Sequence, residues 1–212
     1  MLRYDAAVRE VCQVIEKAAQ SALTAYAEGD APWEENITDR LLGAIKMGVD
    51  DRQIAGISWR AKTLKTGRGR SGEESAIGAD FVGTLSIDFP EYKVTKGFLV
   101  QAKRAEPGGR LKDWARLEEQ SEKMLAQSPA SFVLLYSNEI GMRIVPAISI
   151  RGLASQDPLH LYHQSLQWFF EQHLKCFIGD RNVDAGFVTR AMAADREPRP
   201  ALLALSATRA EI

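Results

Sequence analysis

At 212 residues, 45% apolar and 26% charged, the chain has the size and composition of one globular domain with a sizeable core. No run approaches the ~20 consecutive apolar residues of a membrane helix. The first residues lack the apolar core of a signal peptide, and two distant cysteines, Cys12 and Cys176, make no disulfide framework. A net charge of −1 does not by itself mark a polyanion binder, and the expected compartment is a reducing cytoplasm.

Residues 3–28 read as a helix, with Val8, Val11, Cys12, Ile15, Ala19 and Leu23 at helical spacing. Gly29-Asp30-Ala31-Pro32 breaks it, and a second helix over about 33–47 carries Ile37, Leu41, Leu42 and Ile45. Glu34 precedes Ile37 by three and Leu41 by seven, so it lies on the face this helix turns inward, where a carboxylate needs a partner. Glu35 shares a face with Thr38 and Leu42 and is the alternative. Either glutamate also suits the positive end of the helix dipole.

A strand near 54–60 leads into a basic loop from Lys62 to Gly72. Arg60, Lys62, Lys65, Arg68 and Arg70 fall within eleven residues there, and Lys103, Arg104, Arg110, Lys112 and Arg116 form a second basic cluster. Locally basic surface on a near-neutral chain steers toward phosphate. Gly67-Arg68-Gly69-Arg70-Ser71-Gly72 matches a dinucleotide fingerprint in letters. Too few residues follow before the next strand for the helix that motif requires, so a loop tracking a phosphate backbone fits better.

Residues 79–88 and 97–104 read as a hairpin joined through Phe89–Gly97. Alternation puts Gln101 and Lys103 on one face and Ala102 on the other, and the hairpin sets Asp80 beside them. A carboxylate, an amide oxygen and an ammonium at one sheet edge suit a divalent cation together with a phosphate. Glu74, just before this strand, is a further acid within reach. Helical spacing returns over 110–127 through Leu111, Trp114, Leu117 and Met124, with Gln120 one turn before Met124.

Ser131–Tyr136 reads as a central strand, Ile140–Ile148 as its neighbour and 159–177 as an aromatic-rich last helix. His160, His163, His173 and Cys176 have zinc-ligand spacing in pairs. On one continuous helix, however, His163 and His173 lie about 15 Å apart, so no zinc site is expected. Residues 196–212 read as an arm or flexible tail. The alternation of strands and helices predicts an α/β fold with a mixed sheet covered on both faces: one domain over 1–195, its core at about 33–150, and the helices 3–28 and 159–177 packed on it.

Glu34, Asp80 and Gln101-x-Lys103 together resemble the PD-(D/E)XK nuclease superfamily, with its restriction-endonuclease-like three-layer core. Gly78-Ala79-Asp80 with Gln101-Ala102-Lys103 is similar to the Gln-x-Lys variants of bacterial restriction and defence proteins. Trp33-Glu34-x-x-Ile37 resembles the Mrr-like and Holliday-junction-resolvase-like branches. Ala79 stands where the family name has proline, and Gln101 removes one negative charge from the site.

The resemblance implies a Mg²⁺-dependent endonuclease, with Mn²⁺ able to substitute. Asp80, Gln101, the Ala102 carbonyl and Glu34 would hold the metal. Lys103 would orient or deprotonate the attacking water, or stabilise developing negative charge, and Gln120 would stand nearby. DNA is the expected substrate, with RNA as the other polymer the same chemistry serves. Arg60, Lys62, Lys65, Arg68, Arg70 and Arg104 would follow its backbone. A homodimer suits cleavage of both strands of a duplex, and a subunit of a larger defence complex is the alternative assembly. Gln101 also leaves room for a weak or inactive module that binds nucleic acid or a partner.

Overall fold

The structure is a computed structural model that describes residues 2–29, 34–64, 77–193 and 199–209; the side chains of residues 2, 3, 34, 35, 192 and 193 are not described. Its elements in chain order are α1 (Leu2–Ala27), α2 (Glu34–Val49), β1 (Arg52–Ile54), β2 (Ile57–Leu64), β3 (Phe81–Phe89) and β4 (Tyr92–Arg104). There follow α3 (Trp114–Gln127), β5 (Ser131–Ser137), β6 (Gly141–Pro146), β7 (Gln164–Ser165), α4 (Leu166–Leu174), α5 (Ala185–Ala193) and β8 (Ala201–Arg209). The eight strands make one mixed sheet in the order β1-β2-β8-β3-β4-β5-β6-β7. The fold is α/β, with helices on both faces.

Strand alternation sorts the sheet into two unlike faces. Trp59 and Ala61 of β2, Leu203, Leu205 and Ala207 of β8, Leu85 and Ile87 of β3, and Phe98, Val100 and Ala102 of β4 bury together with α1, α2 and α4 in the largest core. Phe98 is the hub of that core. Its ring meets Phe81, Phe169, Phe170 and His173 edge-on, at centroid distances of 6.2, 4.9, 5.9 and 4.7 Å. On the other face α3 covers Val133, Leu135 and Val145. Val183 and the first turns of α5 cover Val82, Leu99 and Leu202.

Coverage of this second face is incomplete. Ser58, Arg60, Lys62, Ser86, Asp88, Lys93, Thr95 and Thr208 lie there at least partly in solvent, so the sheet is covered on one face throughout and on the other only in part. An antiparallel region tolerates this because its outward side chains are polar.

Three elements differ from the expectations. The run expected as an arm or flexible tail forms β8, in the middle of the sheet between β2 and β3. Its Leu203, Leu205 and Ala207 alternate with Ala204, Ser206 and Thr208 at the strand period, and small residues hide that signal. The expected helix 159–177 shrinks to Leu166–Leu174. Before it come a 3-10 turn at Pro158–His160 and the short edge strand β7. Ser165 caps its start by accepting from the Trp168 N–H at 3.1 Å. The hairpin connection shortens to Pro90-Glu91, because the alternation of Val94, Lys96 and Phe98 inward continues β4 to Tyr92.

Candidate active site at the mouth of the β3–β4 hairpin

The β3–β4 ladder pairs Phe81 with Val100, and Asp80 extends it one step through its N–H to the Val100 carbonyl at 2.8 Å. Beyond that step the two strands part. The Asp80 carboxylate fills the gap: its Oδ2 accepts from the Ala102 N–H at 2.8 Å and from the Gln101 Nε2 at 2.6 Å. On the other side the Ala201 N–H of β8 donates to the Asp80 carbonyl at 2.7 Å. The aspartate therefore stands on a backbone fixed by both neighbouring strands, which is what a preorganised ligand needs.

The period-2 geometry of β4 directs the Ala102 N–H and C=O toward the β3 side, as it does those of Val100. The Gln101 amide nitrogen lies 3.4 Å from the Ala102 carbonyl and 2.6 Å from Asp80 Oδ2, so two oxygens converge on one amide group. Gln101 is buried and Lys103, on the same face, is half-buried. Turning the amide by 180° about its last torsion would present Oε1 in place of Nε2. The set would then be carboxylate, amide oxygen and peptide oxygen, the all-oxygen chemistry that a hard divalent cation takes. Among the described residues no three His, Cys, Asp or Glu side chains converge as a metal cage.

Gln120 lies on the turn of α3 that the segment before Asp80 packs against. It is 5% exposed, and its Oε1 has no hydrogen-bond partner among the described residues, an unusual state for a buried amide. Gly78 brings the segment before Asp80 against this helix turn. Its φ is +74°, and a Cβ there would stand 2.4 Å from the Gln120 carbonyl oxygen, so only glycine allows the approach.

Glu34 and Glu35 open α2, and their side chains lie outside the described residues. Gly48 lies against Val14, so α2 runs antiparallel to α1 and starts beside the C-terminal end of α1. That end reaches the tops of β4 and β5, where Arg104 stands 5.3 Å from the Tyr26 ring centre and Tyr26 meets Tyr136 edge-on at 5.5 Å.

Arg104 also pairs with Glu106 at 3.3 Å, and Glu106 accepts from the buried Ser137 hydroxyl at 2.8 Å. Register carries Lys62 through Ala204 and Thr84 to Gly97, so Arg60 and Lys62 share the face of Gln101 and Lys103. Both are exposed, and Arg60 pairs with Asp51 at 3.2 Å. Lys65, Arg68, Arg70 and Glu74 lie outside the described residues.

The zinc-spaced residues do not gather. His163 Nδ1 lies 2.9 Å from the Leu161 carbonyl, His160 pairs with Asp157, and His173 is buried against Phe98. The role of Ala201 was hidden in the sequence because it acts through its backbone alone. A scan against family models, a search of curated proteins and a search of solved structures each return no match.

Proposed function

We propose that this chain is a metal-dependent endonuclease of the PD-(D/E)XK, restriction-endonuclease-like type, hydrolysing phosphodiester bonds of DNA in bacterial restriction or anti-phage defence. The observation that carries the reading is the Asp80 carboxylate at the hairpin mouth. It is bonded to Gln101 and to the Ala102 N–H, with Lys103 on the same face. Gln120, on the helix turn that meets Gly78, is further support, since its buried Oε1 has no partner among the described residues.

Asp80, Gln101 through its amide oxygen, the Ala102 carbonyl and Glu34 would hold Mg²⁺ or Mn²⁺. When bound, the ion supplies Lewis-acid stabilisation of charge on the phosphoryl oxygens. Lys103 orients the attacking water and offsets negative charge as it develops. Arg104, held between Tyr26 and Glu106, stands beside the reacting end with its cation half in solvent and contacts the nucleic-acid backbone. Arg60 and Lys62 offer a further backbone contact along the uncovered part of the opposite face, the face of Gln101 and Lys103.

A plasmid-nicking assay with Mg²⁺, Mn²⁺ and EDTA tests the reading. Wild type nicks with either metal and not with EDTA, and Asp80→Ala abolishes nicking. Unchanged nicking by Asp80→Ala overturns it. A second reading, a non-catalytic module that binds nucleic acid or a partner, is favoured by one observation. The Gln101 amide already satisfies Asp80 Oδ2, so the carboxylate has a partner without any cation. Calorimetry separates the two, since only the nuclease reading expects Asp80-dependent Mg²⁺ binding.

A further inference from the structure

Away from the candidate site, the second lysine of β4 is buried in an unusual way. Lys96 is 3% exposed, and its ammonium donates to the carbonyls of His173 and Ile178 and lies 3.2 Å from His173 Nδ1. His173 Nδ1 also lies 3.0 Å from the Ile178 carbonyl, to which a protonated Nδ1 donates. Which of the two contacts is the hydrogen bond of the ring follows from its tautomer. His173 Nε2 is buried without a partner among the described residues.

The bonds hold a crossing. After α4 the chain passes from one face of the sheet to the other, through the gap that β5 leaves beside the first half of β4. Gly97 and Asp180 exchange both backbone hydrogen bonds there, at 2.9 and 2.8 Å. Gly179 has φ +130° and would bring a Cβ to 3.2 Å from Lys96 Nζ, so glycine is what lets the loop close on the ammonium. Ser128 ties the Asp180 carboxylate to the α3–β5 turn at 2.7 Å. Val183 and Phe187, just beyond, pack against Ala79, Val82 and Leu99, the floor beneath Asp80.

We infer that Lys96 and His173 form a proton-sensitive pin, which seats the α4–α5 crossing under the sheet while His173 is neutral and releases it when His173 is protonated. Protonation of the ring would set a second cation beside the Lys96 ammonium, which lies 3.2 Å from Nδ1. The Ile178 carbonyl favours the protonated ring but does not outweigh that charge and the burial. Phe98 and Phe170 pack edge-on to the imidazole. Cys176 is the titratable group of the following turn that bears on Lys96. The Asp180 carboxylate is engaged by Ser128 and by the Asn182 N–H. Burial first, and then the Lys96 charge, push the His173 imidazole down to about 3. This inference is independent of the nuclease reading.

Hydrogen exchange measured by mass spectrometry tests it on the whole protein. After correction for intrinsic rates, the opening constant for peptides spanning 174–184 should rise about tenfold between pH 7.5 and 5.5, where only the open form takes up a proton. Peptides of β5 should not change. His173→Gln, which cannot titrate there, should remove the response, and a retained response overturns the pin. If that variant does not fold, nitrogen NMR on wild type decides. The His173 ring should stay neutral down to pH 5, and protonation above that pH overturns the proposal.

Discussion

Lys96 and Lys103 lie on one strand, an odd number of residues apart, and so on opposite faces of the sheet. Lys96 points into the largest core beside His173, and its ammonium is held by the carbonyls of His173 and Ile178. Lys103 points to the α3 face at the mouth of the hairpin, half in solvent, on the same face as Gln101. One residue type on one strand thus serves two ends. A lysine surrounded by carbonyls holds backbone in place, whereas the proposed chemistry would use the charge of the one half in solvent on the face of Gln101. The neighbours decide, and they come from distant parts of the chain.

The contrast can be broken most sharply by removing the element that fixes the hairpin mouth. Deleting Ala201–Arg209 leaves β2 and β3 with open edges and the Asp80 carbonyl without its donor. Cooperative unfolding by circular dichroism should disappear, and a synthetic peptide of residues 199–209 should restore it. Next in size, Lys103→Met should lower Mg²⁺-dependent cleavage about 10²–10⁴-fold with the urea midpoint unmoved. Lys96→Met should do the reverse. Cleavage per folded molecule stays, and stability falls by about 1–3 kcal/mol because two buried carbonyls lose their donor. If the two variants behave alike, the division between the faces fails.

Phe98→Ala probes the core that makes the Lys96 side of the strand dry. Its four ring contacts and full burial place the cost at about 3–5 kcal/mol by urea denaturation. The smallest effect is on pH dependence. Burial lowers the Lys96 amine from its usual 10.5 to about 8. The unfolded chain therefore binds the extra proton between those values, and Lys96 makes stability rise with pH from about 8 to 10.5. The cost of burying its charge is fully present below 8. A urea midpoint that does not rise over that window in wild type, relative to Lys96→Met, removes the buried-ammonium account.

Much of the hairpin mouth was legible before the fold was seen. Asp80 opening one strand and Gln101-x-Lys103 ending the next define a hairpin mouth by alternation alone, and the structure bonds Asp80 to Gln101 there. Gln120, placed by helical spacing, does face inward. The histidines were harder. Spacing offered His160, His163 and His173 as one helical series, but Pro158 and the Ser165 cap split the segment and send the three side chains to different places. The importance of Lys96 was not readable either, since its acceptors are mostly backbone carbonyls, which every residue carries.

The amino-acid sequence by itself determined the helices α1, α2 and α3, the β3–β4 hairpin and the face on which Gln101 and Lys103 stand, because these follow from local periodicity. Tertiary structure alone decided that Ala201–Arg209 enters the middle of the sheet, that Asp80 is gripped from both sides and that His173 meets Lys96. Those outcomes depend on which strand edges remain open once the hairpin has formed, and no local pattern encodes that competition.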